Sequence, residues 1–468
     1  MITDSQHAEM IAQNQQEYAE NYDLIQWITD AEADTATQHR NHILKFLNEH
    51  VTLGFHDTKL DCTDLSSGCR LCGKGTWSCL FINGKCTCRC FYCPTEQTYI
   101  GNPETNGIEF SKPADYLGYI RMFDFQGIGI SGGEPLLTLN RTLNYISAIR
   151  NHNKENIYIW MYTNGMLLTS DIVLKLQQAG LNEIRFNIAA QGYTLEKVQL
   201  AVGKIKVVTV EIPAIPDDIA RLKKFIQQAS ELGINYINLH QLRLTPFNFQ
   251  HLMKRNYTYL HGPSVTVLES ELTALELINY TIEHRIRIPI NYCSFAYKNR
   301  FQAAGARNRI APFITKPHEN ITSNGYIRSL WIESDMHIIE QHIQLAKHHG
   351  FSSGWHVDSS MQRLYLHDSL WNFIDVNYCK VYVSYHQSLL KQKLSYTHWF
   401  KEVSISKGQR LFIERFPLAE RELDASELSE LKQIINSIQT DGFQTPDSPL
   451  FREIGQFEIT PYGLQTYF

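Results

Sequence analysis

The chain has 468 residues, 43% hydrophobic and 19% charged, a composition typical of a soluble globular protein with a substantial core. Its net charge of -5 disfavours attraction to nucleic acid or to an anionic membrane. No apolar run has the length of a membrane span, and the first residues lack the basic and apolar stretches of a secretory signal. We therefore expect a cytoplasmic protein with no membrane partner.

Residues 1–60 are polar and partly helical in pattern, and from about residue 77 apolar strands alternate with amphipathic helices. Six strands are predicted: TWSCLFING, GIGISG, IYIWMYTNG, EIRFNIA, KVVTVEIPAIP and INYINLHQLRLTP. Helices are predicted between strands, for example over 114–124 and in LNRTLNYISAIRNH, SDIVLKLQQAG and DDIARLKKFIQQASELG. This order predicts parallel β/α units in a full or partial barrel. A seventh unit is predicted from VLESELTALELINYTIEH followed by RIPINYC.

The pattern changes beyond about residue 330. KVYVSYHQ and RLFIERFP precede a helix, DASELSELKQIINSIQTDG, in which Asp424 and Glu427 are spaced as in a capping box. We predict three regions: an N-terminal helical and cysteine-rich extension (1–76), a β/α barrel (77–330) and a C-terminal α+β region (331–468).

Four cysteines occur in CTCRCFYCP, residues 86 to 94, and three of them, Cys86, Cys90 and Cys93, have the spacing C-x3-C-x2-C. Cytosolic thiols are kept reduced, so clustered cysteines are more often metal ligands than disulfides. A zinc knuckle is the alternative, but structural zinc usually takes four ligands in two pairs. Three thiols leave one iron of a [4Fe–4S] cluster open to a small molecule. Cys88 is not required by the spacing and is interpreted as a bystander.

This spacing, with Tyr92 before the last cysteine, resembles that of the radical S-adenosylmethionine (SAM) superfamily. The resemblance implies an α/β fold with a partial (β/α)6-type barrel. It implies that SAM binds the open iron, that the reduced cluster cleaves SAM to a 5′-deoxyadenosyl radical, and that this radical takes a hydrogen atom from a substrate. It also implies an electron donor such as a flavodoxin or a ferredoxin.

Later strands end in further motifs of this kind, SGGEP (131–135) and YTNG (162–165). In the family, the glycine turn approaches the methionine amino group, a polar residue after the fourth strand contacts the ribose, and apolar residues after the fifth cover the adenine. Our hypothesis is that an arginine after the sixth strand pairs with the SAM carboxylate. The candidate cofactor-binding residues are Tyr92, Gly132, Gly133, Glu134, Asn164, Asn187, Ile212 and Arg243.

A second group of cysteines, Cys62, Cys69, Cys72 and Cys79, has the spacing C-x6-C-x2-C-x6-C. Four thiols can hold either zinc or an auxiliary [4Fe–4S] cluster. If the first strand is extended at about 3.3 Å per residue, up to roughly 23 Å separates its two ends. We therefore predict that this site lies toward the bottom of the barrel, with a structural or electron-relay role.

Cys293 and Tyr292, at the end of the seventh strand, are candidate catalytic residues. Cys293 could donate a hydrogen atom, form a thioether or ligate a group, and it could equally be a small buried hydrophobe. The substrate is predicted to be a peptide or protein, for example another enzyme that is activated by hydrogen abstraction. The alternatives are a small metabolite, RNA, which the acidic charge disfavours, or a non-catalytic iron–sulfur scaffold.

Overall fold

The computed structural model describes residues 4–152, 157–373, 375, 378–437, 446 and 448–468. The chain divides into two compact units, Met1–Gln302 with Tyr462–Phe468, and Ala303–Pro461. The domain limits predicted from the sequence, after residues 76 and 330, differ from this division and remain predictions.

The first unit is built on a ten-stranded sheet and a two-stranded hairpin. The strands of the sheet are β1 (Lys59–Leu60), β2 (Trp77–Phe81), β3 (Glu104–Thr105), β4 (Ile108–Glu109), β5 (Gly127–Ser131), β6 (Tyr158–Thr163), β7 (Glu183–Phe186), β8 (Val207–Pro213), β9 (Tyr236–His240) and β12 (Ile290–Cys293). The hairpin consists of β10 (Tyr259–Leu260) and β11 (Thr266–Val267).

The sheet has the order β1-β12-β9-β8-β7-β6-β5-β2-β3-β4. All neighbours from β2 to β12 in this order are parallel, while β1, β3 and β4 are antiparallel additions at the edges. Parallel strands that follow one another in the chain are thus neighbours in space, the order of successive β/α units in a barrel. The predicted partial α/β barrel is confirmed, and β12 is its seventh parallel strand.

Helices connect most of these strands. They are α1 (Asp4–Tyr18), α2 (Asp30–His50), α3 (Ser67–Gly73), α4 (Pro113–Met122), α5 (Leu139–His152), α6 (Ser170–Ala179), α7 (Glu196–Gln199), α8 (Ile219–Leu232), α9 (Phe249–Leu252), α10 (Leu268–Glu283) and α11 (Phe295–Tyr297). The Thr169 side chain caps α6 by accepting from Ile172 N, and Gly180 ends it at a φ of +91°. Between β7 and β8 the connection contains α7 and one short 3-10 helix, Ile188–Gln191.

The second unit is an antiparallel sheet with helices. Its strands are β13 (Asn320–Ile321), β14 (Ile327–Glu333), β15 (Trp355–Val357), β16 (Arg363–Leu366), β17 (Lys380–Lys391), β18 (Phe400–Ser404) and β19 (Arg410–Leu423), in the order β15-β16-β14-β17-β19-β18 with β13 beside β14. Its helices are α12 (Ala303–Ile310), α13 (Met336–His348), α14 (Ala425–Ser437) and α15 (Pro449–Glu458).

Apolar residues of the sheet and of the last three helices form the core of this unit, among them Leu330, Ile339, Leu431 and Ile454. A C-terminal region that combines helices with a sheet was predicted, and the end of its predicted helix beyond Ser437 lies outside the described residues. In the part of the chain that the structure describes, no helix has the length and apolar character needed to cross a membrane.

Candidate active site

The loop after β2 carries the three spaced cysteines, and we call residues 82–97 the cysteine loop. Its base is fixed to the turn after β5, where Gly133 N and the next amide donate to the carbonyl oxygens of Asn83 and Lys85 over 2.8 and 2.7 Å. Gly132 has a φ of +127°, which L side chains rarely adopt. A Cβ at Gly132 would lie 2.1 Å from the Asn83 oxygen, and one at Gly133 would lie 2.0 Å from the Lys85 oxygen. Both glycines are therefore needed for this close approach.

The sulfur atoms of the cysteine loop receive N–H donors from the protein. The Cys86 Sγ accepts from Cys88 N at 3.4 Å and from Asn164 Nδ2 at 3.5 Å, and the Cys93 Sγ accepts from Gln97 Nε2 at 2.6 Å. Donors of this kind stabilise metal-bound thiolates and tune their potential. Three half-buried thiols, of which Cys86 and Cys93 receive such donors, fit the protein half of an iron–sulfur cluster.

The fourth thiol of the loop, that of Cys88, contacts Met166 instead. Cys88 Sγ donates to Met166 Sδ at 3.2 Å, with a longer contact to the Ala190 carbonyl at 3.9 Å. These contacts agree with the interpretation of Cys88 as a bystander, which remains a prediction. Among the described residues, no group of three or more His, Cys, Asp or Glu side chains forms a ready site for a single metal ion, and this includes the loop.

Glu134 joins the ends of β5 and β6. It is fully buried, and its carboxylate accepts from Thr163 Oγ1 at 2.7 Å, Asn164 N at 2.8 Å and Leu136 N at 3.1 Å. Burial raises the pKa of Glu134, and these donors oppose the rise. Asn164 in turn donates from Nδ2 to Thr87 Oγ1 at 2.9 Å, so the motif at the end of β6 also holds the cysteine loop. Both oxygens of Glu134 are thus bonded within the protein.

Tyr92 links the cysteine loop to the end of β7. Its hydroxyl donates to Asn187 Oδ1 at 3.0 Å, and its backbone carbonyl accepts from Asn248 Nδ2 at 3.2 Å. Thr245 Oγ1 donates to the Pro94 carbonyl at 3.2 Å. The chain segments that follow β5, β6, β7 and β9 therefore all hold the loop, at the carboxyl ends of the strands where barrels place their active sites.

Residues 80–240 match the family model of the radical SAM superfamily, over the stretch that contains the cysteine loop and five of the parallel strands after β2. The chain has a radical SAM domain. Members of the superfamily are enzymes that use a [4Fe–4S] cluster and SAM.

Two groups of curated relatives match the chain. A protein of Methanocaldococcus jannaschii described as "Putative glycyl-radical enzyme activating enzyme" is 29% identical over 278 residues, which cover 56% of this chain and 72% of the relative. A protein of Methanococcus maripaludis described as "Probable GTP 3′,8-cyclase" is 33% identical over 169 residues, or 35% of this chain. The chain spans 49% of the length of that cyclase.

Parts of the chain are also similar to solved structures. Streptococcus suis SuiB bound to precursor peptide SuiA has a TM-score of 0.35 at 12% identity, covering 47% of this chain and 49% of its own. The radical SAM methyltransferase TsrM from Kitasatospora setae, with tryptophan and a SAM analogue bound, has a TM-score of 0.30 at 14% identity and covers 40% of each chain.

Two of the predicted SAM contacts lie away from the barrel interior. The register of β8 places Glu211 beside Asn238 of β9, and strand alternation turns the buried Ile212 to the opposite, helix-covered face of the sheet. Arg243 is exposed and pairs through its backbone with Thr266. The structure therefore adds no support for either contact.

The two candidate catalytic residues lie on opposite faces of β12. Tyr292 is fully buried on the helix side, where its hydroxyl lies 3.2 Å from Glu271 Oε2 of α10 and donates to it. Cys293 faces the barrel interior, and Lys59 Nζ lies 2.5 Å from its Sγ. A structural role thus accounts for Tyr292, whereas Cys293 lies in a polar chamber.

The interior of the radical SAM domain holds a chain of charged groups that the sequence analysis did not propose as a site. Lys298 Nζ lies 2.8 Å from His240 Nδ1, and His240 Nε2 lies 2.8 Å from Glu211 Oε1. Arg185 donates to Glu211 and to Glu183, both at 2.8 Å. Burial alone would raise the pKa of Glu211, but Arg185 and His240 outweigh it and lower the pKa well below its usual range.

A signal for this interior was present in the sequence. Glu183 and Arg185 are two residues apart in EIRF, and Glu211 interrupts the apolar strand VVTVEIP. Charged residues at alternate positions of a buried strand indicate a polar inner face. The ion-pair partner of each charged side chain depends on the register between neighbouring strands. The sequence of a single strand does not reveal that register.

Proposed function

We propose that this chain cleaves SAM reductively at a cluster held by Cys86, Cys90 and Cys93, and that the resulting radical takes a hydrogen atom from a polypeptide. The observation that carries the first part is the cysteine loop, with its supplied N–H donors and its docking on the glycine turn. When bound, the reduced cluster supplies the electron that breaks the sulfonium bond of SAM, giving methionine and the 5′-deoxyadenosyl radical.

The residues of the chain hold and order this site. The three thiolates would hold a cluster and leave one of its irons without a protein ligand, and the turn at Gly132 and Gly133 keeps the loop at the carboxyl end of the sheet. The Glu134 carboxylate orients the Asn164 amide, and Asn187 is held by Tyr92. In this proposal the SGGEP backbone binds the amino group of methionine, while Asn187 binds the ribose.

A polypeptide substrate is favoured by the relative from M. jannaschii, whose described role is to activate a glycyl-radical enzyme, and which aligns over more of this chain than the cyclase does. In the overall reaction, SAM, one electron and a substrate C–H bond give methionine, 5′-deoxyadenosine and a substrate radical. A flavodoxin or ferredoxin would deliver the electron. The cyclase relative favours a small-molecule substrate as the second candidate.

Cleavage of SAM is tested by anaerobic reconstitution with iron and sulfide, followed by incubation with SAM and dithionite. We expect 5′-deoxyadenosine from the wild type and none from Cys86→Ala, Cys90→Ala or Cys93→Ala. Cys379→Ser, which changes a thiol of the second unit, is the matched control and should retain the product. A wild type that holds its iron but releases no product would support the scaffold alternative.

The substrate class is tested with an extract of cells grown in deuterated medium, divided by ultrafiltration into large and small molecules. Abstraction from carbon moves deuterium into 5′-deoxyadenosine, which mass spectrometry detects. We expect label from the large fraction, resistant to ribonuclease and lost after proteolysis. Label from the small fraction would replace the polypeptide proposal with a metabolite substrate, and loss after ribonuclease would indicate RNA.

A further inference from the structure

Cysteines that are distant in the chain lie on neighbouring elements of the first unit. The pairing of β1 with β12 sets Lys59 opposite Cys293, at the carboxyl end of β12. Cys62 lies two residues after the end of β1, and its Sγ donates to the Lys59 carbonyl at 3.3 Å. This pairing brings the upstream cysteine segment against a cysteine that is distant in the chain.

Two asparagines connect Cys69 of α3 to the same place. Asn238 donates from Nδ2 to Cys69 Sγ at 3.4 Å, and Asn291 donates from Nδ2 to Asn238 Oδ1 at 2.6 Å. Asn291 Oδ1 lies 3.7 Å from Cys293 Sγ. Cys69 and Cys293 thus lie at the two ends of one short row of buried amides.

Nitrogen donors surround these sulfur atoms. Lys59 Nζ lies 2.5 Å from Cys293 Sγ, Gln302 Nε2 lies 2.6 Å from Cys72 Sγ, and Arg185 Nη2 lies 3.7 Å from Cys69 Sγ. Arg185 is already paired with Glu183 and Glu211, whereas the ammonium of Lys59, a residue only 1% exposed, contacts Asn291 Oδ1 and Cys293 Sγ. A buried cation is costly unless anions compensate it, and thiolates bound to a metal are such anions.

The positions of the elements separate Cys79 from the other upstream thiols. Cys69 and Cys72 are three residues apart in α3 and therefore lie on one face of that helix. Cys62 lies just after β1, which pairs with β12. Cys79 lies on β2, and five strands of the sheet separate β2 from β12, which carries Cys293. This arrangement groups Cys293 with the first three upstream cysteines.

We infer that Cys62, Cys69, Cys72 and Cys293 ligate a second iron–sulfur cluster inside the barrel, with Cys79 outside the ligand set. This set differs by one residue from that predicted by spacing. It does not depend on the SAM cluster, since no residue of the cysteine loop belongs to it.

The position of Lys59 favours an iron–sulfur cluster over zinc. A zinc ion needs all four sulfurs at about 2.3 Å from one point. The Lys59 ammonium lies 2.5 Å from Cys293 Sγ, and Cys62 Sγ contacts the Lys59 carbonyl, so a cationic side chain stands within this group of thiols. A polynuclear cluster spans a wider gap and brings sulfides that accept hydrogen bonds from an ammonium.

The experiment starts from the Cys86/Cys90/Cys93→Ala triple variant, which removes the cysteine-loop ligands. After anaerobic reconstitution we expect about four irons, four sulfides and no zinc per chain. Adding Cys293→Ser should abolish this iron, whereas adding Cys79→Ser should leave it. Circular dichroism and the thermal midpoint check that each variant is folded, and Cys379→Ser in the same background is the control thiol.

Each other outcome overturns the inference in a defined way. Iron lost with Cys79→Ser but kept with Cys293→Ser would restore the ligand set predicted by spacing. Zinc in place of iron would make the site structural, and a folded triple variant without metal would remove it altogether. A Lys59→Met change in the same background should keep the iron and lower its reduction potential, because loss of a nearby cation disfavours the reduced state. An unchanged potential would exclude the proposed contact.

Discussion

The close contact between Gly133 and the Lys85 backbone can be disturbed by a single substitution. In Gly133→Ala, the new methyl group would lie 2.0 Å from the Lys85 oxygen and 2.2 Å from its carbonyl carbon, and both are backbone atoms that cannot rotate away. Overpacking of this kind costs about 1–3 kcal/mol. The shift also threatens two hydrogen bonds between the turn and the loop, each worth about 1 kcal/mol. We therefore expect the docked loop to be destabilised by about 3–5 kcal/mol.

This change should act on the cysteine loop before it acts on the fold. A cost of about 3 kcal/mol lowers the equilibrium constant for docking of the loop roughly a hundredfold, since each 1.4 kcal/mol is a factor of ten. We expect faster hydrogen exchange in residues 83–93, iron content reduced after reconstitution, and loss of 5′-deoxyadenosine formation. Gly408→Ala, where a Cβ has nothing within 4 Å, is the control. Iron content and exchange equal to the wild type in Gly133→Ala would refute the steric reasoning.

Three further predictions use other contacts. Cys88→Ser should leave the iron content and the SAM cleavage unchanged, because the Cys88 thiol is directed at Met166; a loss of about four irons per chain would make it a ligand. Glu134→Gln should lower the free energy of unfolding by about 1–3 kcal/mol, because an amide cannot accept all three donors; denaturation at neutral pH with an unchanged midpoint would contradict this. Burial and Arg415 lower the pKa of His386 to about 4 from 6.5. The neutral imidazole of His386 therefore contributes at most about 3 kcal/mol to stability, fully above pH 6.5 and progressively less as the pH falls toward 4. His386→Gln should flatten this part of the stability profile in urea unfolding, and an equal acid loss in both proteins would exclude His386 as its source.

The elements of the barrel could be predicted because their signals are local. GIGIS, YIWMYT and VVTVEIP are strands since apolar and β-branched residues run together there, and the helices between them have periodic apolar faces. The cysteine loop was found in the same way, because its three thiols lie within eight residues and form one turn of chain. The glycine turn could also be recognised from its local sequence. The reason for its two glycines, close contact with the Asn83 and Lys85 backbone, could not be read from the sequence.

The faces of single residues near strand ends were harder to assign. Ile212 and Tyr292 stand at the ends of predicted strands, yet alternation turns each toward the helices. A shift of one residue in the expected register exchanges the inner and outer faces. From the sequence, Ile212 and Cys293 were equally good candidates for side chains that face the barrel interior. Only the observed pairing of β8, β9 and β12 distinguished them.

The sequence by itself determined the order of strands and helices and the three-cysteine loop, because propensity, periodicity and short spacing act within a few residues. The tertiary structure alone decided which distant groups share the barrel interior. Cys293 meets Lys59 only because β1 pairs antiparallel with β12, and Glu211 meets Arg185 and His240 only through the register of three strands. Such contacts depend on chain closure over long separations, and no local pattern encodes them.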